Sequence, residues 1–372
     1  MIDKGNLIVV GAFPPPVYGM AAINQAIFEF AGPHGWHVSR LSTAINSLES
    51  GLLSRLQRLM VMMHVWGHLL KSASPGTIVY VSLSGGWGQV YDAISLLIVR
   101  LLGARLFLHH HSVAYLTKKN RLAQLLFIIA GGKATHVVLC QKMRTLLQEK
   151  YGWNRILVLS NLAFIPTHPQ EKERKMIRSI GFMSNITAEK GGWEFVELSR
   201  AIRSRSLALN SIAAGPCHEK ELSQALLEAR QAGSLEWRGA VYGEEKHRFF
   251  HDVDAFIFPT KYANEAEPLV VWEALSAGVP VIAFGRGCIP AQIGQAGGAI
   301  SEEGSFVDAA LEILEGWLND PQKYQQCIRA GREQYRAMRE KANFQLQDLL
   351  KSLAADKEVA GSDNSQSYNP GS

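Results

Sequence analysis

The sequence is short of cysteine, of acid in its first half and of long apolar runs. Its four cysteines, Cys140, Cys217, Cys288 and Cys327, are scattered, with no CxxC pair among them. That spacing argues against a zinc knuckle or a secreted disulfide framework and fits a reducing compartment. The amino terminus, Met1-Ile2-Asp3-Lys4-Gly5, leads into an apolar run of only four residues at 7–10. This is too brief for a secretory signal, so a cytoplasmic protein is expected. The most apolar stretches are 59–70, interrupted by His64 and His68, and 122–130. Both fall short of the ~20 residues that span a bilayer. No GxGxxG with a ribose-binding acid follows the first apolar run, which counts against a nicotinamide-dependent oxidoreductase.

What is present is a globular composition, 47% apolar and 19% charged, in a chain of 372 residues that exceeds what one core usually serves. Two domains are expected. The net charge of +5 is unevenly spread. Residues 1–165 hold 15 Lys+Arg against 5 Asp+Glu, leaving 38−15 = 23 basic and 33−5 = 28 acidic residues for the remainder. A basic half of this kind suits nucleic acid, an anionic membrane face or a phosphorylated acceptor, or is simply a solvated surface.

Short apolar runs alternate with longer helix-like stretches. In the first half, strands are expected at 7–10, 77–83, 105–109 and 135–140, with helices at 21–30, 90–102 and 141–150. The polar segment from Pro166 to Arg174 reads as a linker, and the alternation then restarts. Strands are expected near 176–183, 207–213, 235–237, 255–258 and 279–283, and helices from about Gly192, at 220–232 and at 269–277. Residues 306–353 look helical, and the polar end from 354 looks disordered. Such alternation builds parallel sheets covered by helices, whose ligands gather beyond the carboxyl ends of the strands.

The most informative stretch is FIFPTKYANEAEPLVVWEALSAGVPVIA, residues 256–283. A strand ends at Pro259, and a helix begins near Pro268. Glu265 and Glu267 precede it, where carboxylates suit the positive helix end, so capping is the plain reading. Glu273 lies inside an apolar run and needs a partner. In GFMSNITAEKGG, residues 181–192, a strand runs into a loop, and Lys190 stands before two glycines that permit close backbone approach. The plain reading of Lys190 is a surface cation. Gly19 lies in the turn before the first helix, where the absence of a Cβ suits a phosphate or sugar, or merely a tight turn. His109, His110 and His111 end a strand. Neighbouring strand residues point to opposite faces, and no acid or cysteine cluster adjoins them, so no metal site is expected.

Taken together, these segments resemble the family-4 retaining glycosyltransferases of the GT-B fold, also described as glycosyl transferases group 1. The family's pattern is two glutamates separated by seven residues, as Glu265 and Glu273 are here, followed by a run like ALSAGVPVIA. The resemblance implies an α/β fold of two Rossmann-like domains, with parallel sheets facing a central cleft. Its expected divisions are 1–165 for an acceptor-side domain, a linker at 166–174, a nucleotide-sugar domain at 175–330 and a returning helix at 331–353. It also implies that Glu273 accepts from ribose hydroxyls, that Glu265 accepts from the sugar, and that amides around Pro268, Leu269 and Val270 face the diphosphate. Glu267 joins this donor-binding set. Lys190 matches the family's lysine on the diphosphate, but the partner arginine position is Asn185. Only Gly19 matches the two glycines usual in the first turn, and His111 fits best a histidine close to the transferred sugar.

The function so implied is transfer of a sugar from a nucleotide-diphosphate-sugar donor to a sugar or lipid-linked acceptor, with retention and without a metal or resident cofactor. Polysaccharide or glycolipid biosynthesis is the expected setting. No nucleic-acid partner is expected, and peripheral attachment to the inner face of a membrane is carried with the basic half. The stretch from Leu52 to Lys71, apolar around most of its circumference, is expected to be a buried core helix. The rival readings are an epimerase or other nucleotide-sugar enzyme on the same fold, and a non-catalytic nucleotide-sugar-binding module.

Overall fold

The computed structural model describes residues 4–15, 19–45, 52–165 and 173–355. The chain divides into two compact units, Met1–Phe164 with Ala342–Ser372, and Ile165–Lys341.

The first unit is built on six parallel strands: β1 (Asn6–Gly11), β2 (His37–Ser42), β3 (Ile78–Leu83), β4 (Arg105–His110), β5 (Thr135–Val138) and β6 (Ile156–Val158), in the order β2-β1-β3-β4-β5-β6. Every residue of β3 is buried, as a central strand covered on both faces requires. Helices cross between the strands. One of them, Arg121–Ala130, is started by Asn120, whose side chain accepts from the amides of Leu122 and Ala123 at 2.8 and 3.2 Å. The last helix of the chain, Pro321–Ala354, passes from the second unit into the first. There the Arg105 guanidinium donates to the carbonyls of Ser352 and Leu353 at 2.9 and 3.0 Å.

The second unit repeats the plan with β7 (Ser179–Met183), β8 (Asn210–Ala214), β9 (Glu236–Trp237), β10 (Ala255–Phe258), β11 (Val281–Phe284) and β12 (Gly297–Ile300), in the order β12-β11-β10-β7-β8-β9. All its pairings are parallel as well. Among the described residues the alternation read from the sequence is reproduced, but β2, β6, β12 and the helices Ala114–Thr117, Arg121–Ala130, Glu244–Asp252 and Ile289–Ile293 were not among the expected elements. Strands β2, β6 and β12 and the helix Glu244–Asp252 carry too little apolar signal to announce themselves: β2 is mostly exposed, β6 has three residues, and β12 begins with two glycines.

One expectation needs correction. The helix Leu52–Ser72 is not a buried core helix. Met62, Val65 and Leu69 are buried, but Leu56 is 51% exposed, Met60 70% and Met63 60%. The segment is apolar all round because two of its faces are apolar, and only one meets the unit's core. Of the polar stretch at 166–174, read as a linker, residues 166–172 lie outside those described. Arg174 is buried, with its guanidinium donating to the carbonyls of Ala277 and Phe250, each at 2.7 Å, and of Val253 at 3.2 Å. It also lies 3.7 Å from the Asp254 carboxylate. This cation is part of the second unit's core. The tail at 356–372, read as disordered, lies outside the described residues.

Candidate functional site

The carboxyl ends of β7 and β10 adjoin in the second sheet, and the loops that leave them are tied together. Lys261 donates its amide to the Glu189 carbonyl at 2.7 Å. Gly191, at φ +90°, comes so near that an added Cβ would lie 2.3 Å from the Pro259 carbonyl oxygen. Only glycine fits this crossing, which explains one of the two glycines after Lys190. On the far side the loop after β11 closes in, with Cys288 donating its amide to the Ala266 carbonyl at 2.7 Å.

Lys190 and Glu265 meet in this setting. The lysine Nζ is 2.5 Å from Glu265 Oε2 and sits 4.5 Å from the centre of the Tyr262 ring. Thr260 Oγ1 donates to the same carboxylate oxygen at 3.2 Å. Glu265 is buried and Lys190 half-buried, so the pair is partly shielded from water, and its attraction exceeds that of a surface ion pair. The plain reading of Lys190 as a surface cation therefore gives way. So does the capping role for Glu265, whose carboxylate turns to Lys190 and Thr260 instead.

The helix Leu269–Ser276 follows, with Pro268 as its first flanking residue and no side chain capping its amides. Leu269 and Val270 are half-buried, and Glu267 is buried. Uncapped amides at a helix start favour an anion. One turn further on, Glu273 has the partner its apolar setting demanded: Lys246 Nζ lies 2.6 Å from its Oε1, while Oε2 is buried without a hydrogen-bond partner. Asn185 is exposed in the loop after β7. Lys190, Asn185, Glu265, Glu267, Pro268, Leu269, Val270 and Glu273 thus share one end of one sheet.

Sequence reasoning missed Lys246, Thr260 and Tyr262. The need of Glu273, half-buried in an apolar run, for a cation was a usable signal, but nothing in the sequence said that the helix Glu244–Asp252 would supply it.

In the first unit, Gly19 is the exposed first residue of the helix Gly19–Ala31, beyond β1; residues 16–18 of that turn lie outside those described. His111 follows β4 directly. The three histidines alternate as strand geometry requires. His109 Nδ1 bonds the Tyr80 hydroxyl at 2.9 Å, whereas His110 bonds the Tyr115 hydroxyl at 3.0 Å and His136 at 2.9 Å. His109 and His110 are fully buried packing residues. The His111 ring lies 3.9 Å from that of His109, with its Nε2 buried and unpartnered. Burial lowers the pKa of His111 to about 3, so it is neutral at physiological pH. Among the described residues there is no group of three or more His, Cys, Asp or Glu placed to hold a metal ion.

Residues 165–334 match the family described as glycosyl transferases group 1. No curated protein matches the chain in sequence. Among solved structures, sucrose-phosphate synthase from Thermosynechococcus elongatus is similar at a TM-score of 0.71 and 14% identity, over 94% of this chain and 99% of that one. HepE from Anabaena, solved with UDP and glucose, is similar at a TM-score of 0.65 and 15% identity, over 93% and 99% of the two chains. TarM is similar at 0.62 and 16% over 80% of this chain, which spans only 58% of TarM's length. The chain therefore has the GT-B fold, and its residues 165–334, which carry Lys190, Glu265 and Glu273, match the glycosyl transferases group 1 family.

Proposed function

We propose that the protein is a glycosyltransferase that moves a sugar from a nucleoside-diphosphate donor to an acceptor hydroxyl, with retention of configuration and without a metal. The observation that carries this reading is the Lys190–Glu265 pair beside an uncapped helix start, with Glu273 one turn along that helix. The bond from the anomeric carbon to the diphosphate oxygen breaks, and its electron pair leaves with the diphosphate. The acceptor oxygen bonds to the anomeric carbon on the same face and passes its proton to the departing diphosphate oxygen. Negative charge grows on the departing phosphate, where Lys190 and the amides of Leu269 and Val270 offer fixed positive ends. Glu265 holds the lysine until the donor arrives and then accepts from a sugar hydroxyl.

Glu273 binds the donor's ribose hydroxyls through Oε2, the oxygen that has no partner. HepE, of the same fold, was also solved with UDP-glucose, a donor of the class this arrangement suits. Glu273→Ala should weaken binding of the preferred nucleotide sugar by at least about 10-fold, the loss expected when a charged hydrogen-bond acceptor is removed. Titration calorimetry on the folded variant measures it. Wild-type affinity in that variant contradicts the assignment.

A further inference from the structure

The helix Leu52–Ser72 lies beside the helix Gly88–Leu101, which lies beside Arg121–Ala130. Trp66 Nε1 donates to Ser95 Oγ at 3.0 Å across the first contact, and the Arg100 guanidinium donates to the carbonyls of Ile128 and Ile129, each at 2.9 Å, across the second. The three helices form one layer, and each turns a stripe of apolar side chains to solvent. On the first helix Leu56, Met60, Met63 and Leu70 are exposed, spaced at three, four and seven residues along one stripe. On the second, Ile94, Leu97 and Leu101 continue the pattern, the last at 76% exposure. Leu125 and Ile128 on the third complete it. Apolar stripes exposed on three neighbouring helices mark an interaction site.

Its charge says what covers it. Residues 52–133 contain nine Lys+Arg and a single acid, Asp92. That acid is buried and spent on Ser84, whose amide donates to it at 2.7 Å. Lys71, beside Leu70, and Arg121, one turn before Leu125, are exposed at the margins of the apolar stripes. A second copy of the chain laid on this face would bring two unrelieved sets of cations together. An anionic bilayer surface instead receives the apolar side chains and pairs the cations with its headgroups. No helix among the described residues is long and apolar enough to cross a membrane, so the contact lies in the plane of the surface. We propose that this three-helix face docks the protein on an anionic lipid bilayer. The proposal does not depend on the glycosyltransferase reading.

Co-sedimentation of the full chain with phosphatidylcholine vesicles carrying increasing phosphatidylglycerol, at low and high salt, tests it. Binding should rise with phosphatidylglycerol and fall with salt. The double variant K71Q/R121Q should lower partitioning at low salt by about 30-fold, about 5-fold for each charge. M60D/M63D, at exposed positions, should lower it by at least about 10-fold while leaving the melting temperature unchanged. No binding to anionic vesicles overturns the proposal. So does binding that both variants retain, which would place the contact elsewhere. A solution dimer dissolved by M60D/M63D without any vesicle binding would assign the face to a second copy, or a complex with an acidic protein partner to that partner, and either would likewise overturn it.

Discussion

Lys190→Ala should lower turnover by about 10²–10³-fold, the loss that follows removal of one fixed donor from a developing negative charge. Lys190 is held by three neighbours, Glu265, Tyr262 and the Thr187 hydroxyl, which accepts from its amide at 3.1 Å. A cation placed this way loses little freedom when the transition state forms. Its effect should fall on kcat more than on KM, because the diphosphate gains charge only as the anomeric bond breaks. Removing the lysine also leaves the buried Glu265 carboxylate beside an anionic donor, which adds repulsion. Steady-state kinetics with the preferred donor separates the two constants. Unchanged kcat would make Lys190 a structural partner of Glu265 and no more.

Arg174→Met should destabilise the protein by about 3–5 kcal/mol, the range for removing one member of a buried charge network. Its guanidinium serves carbonyls of three separate segments, at Phe250, Val253 and Ala277, and faces Asp254. Methionine fills similar volume but leaves those carbonyls without a donor. Asp254 keeps partners in the Arg178 amide at 3.0 Å and Ser179 Oγ at 3.1 Å, so the loss lies mainly with the carbonyls. Arg174→Lys should recover only part of it, because an ammonium cannot reach three divergent acceptors as a planar fork does. Denaturant unfolding of the full chain is the measurement, and a loss below about 1 kcal/mol would show that Arg174 is merely accommodated.

The fold was legible wherever a strand was buried on both sides. Strands β3 and β10 read directly as apolar runs, because both faces of a central parallel strand meet helices. The edge strands β2 and β12 were not legible, since they have little to bury. The positions of Lys190, Glu265 and Glu273 were readable because a strand-to-helix junction fixes which residues reach the sheet's carboxyl end. What they touch was not readable. The Lys190–Glu265 contact joins residues 75 apart in sequence, and the Lys246–Glu273 contact joins a helix that the pattern did not reveal. The helix Leu52–Ser72 misled for the opposite reason. Composition records how apolar a helix is, but how much of it the rest of the protein covers depends on tertiary packing alone.

The central claim is that the carboxyl end of the second sheet binds a nucleoside-diphosphate sugar. A thermal-shift screen of the full chain against a panel of nucleotide sugars, and the corresponding free nucleoside diphosphates and sugars, tests it most directly. Ligand that binds only the native state at about 100 times its Kd stabilises it by about 2.7 kcal/mol. The account predicts that one nucleotide sugar raises the melting temperature, that its free diphosphate does so to a lesser degree, and that the free sugar alone does not. A panel in which no nucleotide sugar and no nucleoside diphosphate shifts the transition would contradict it.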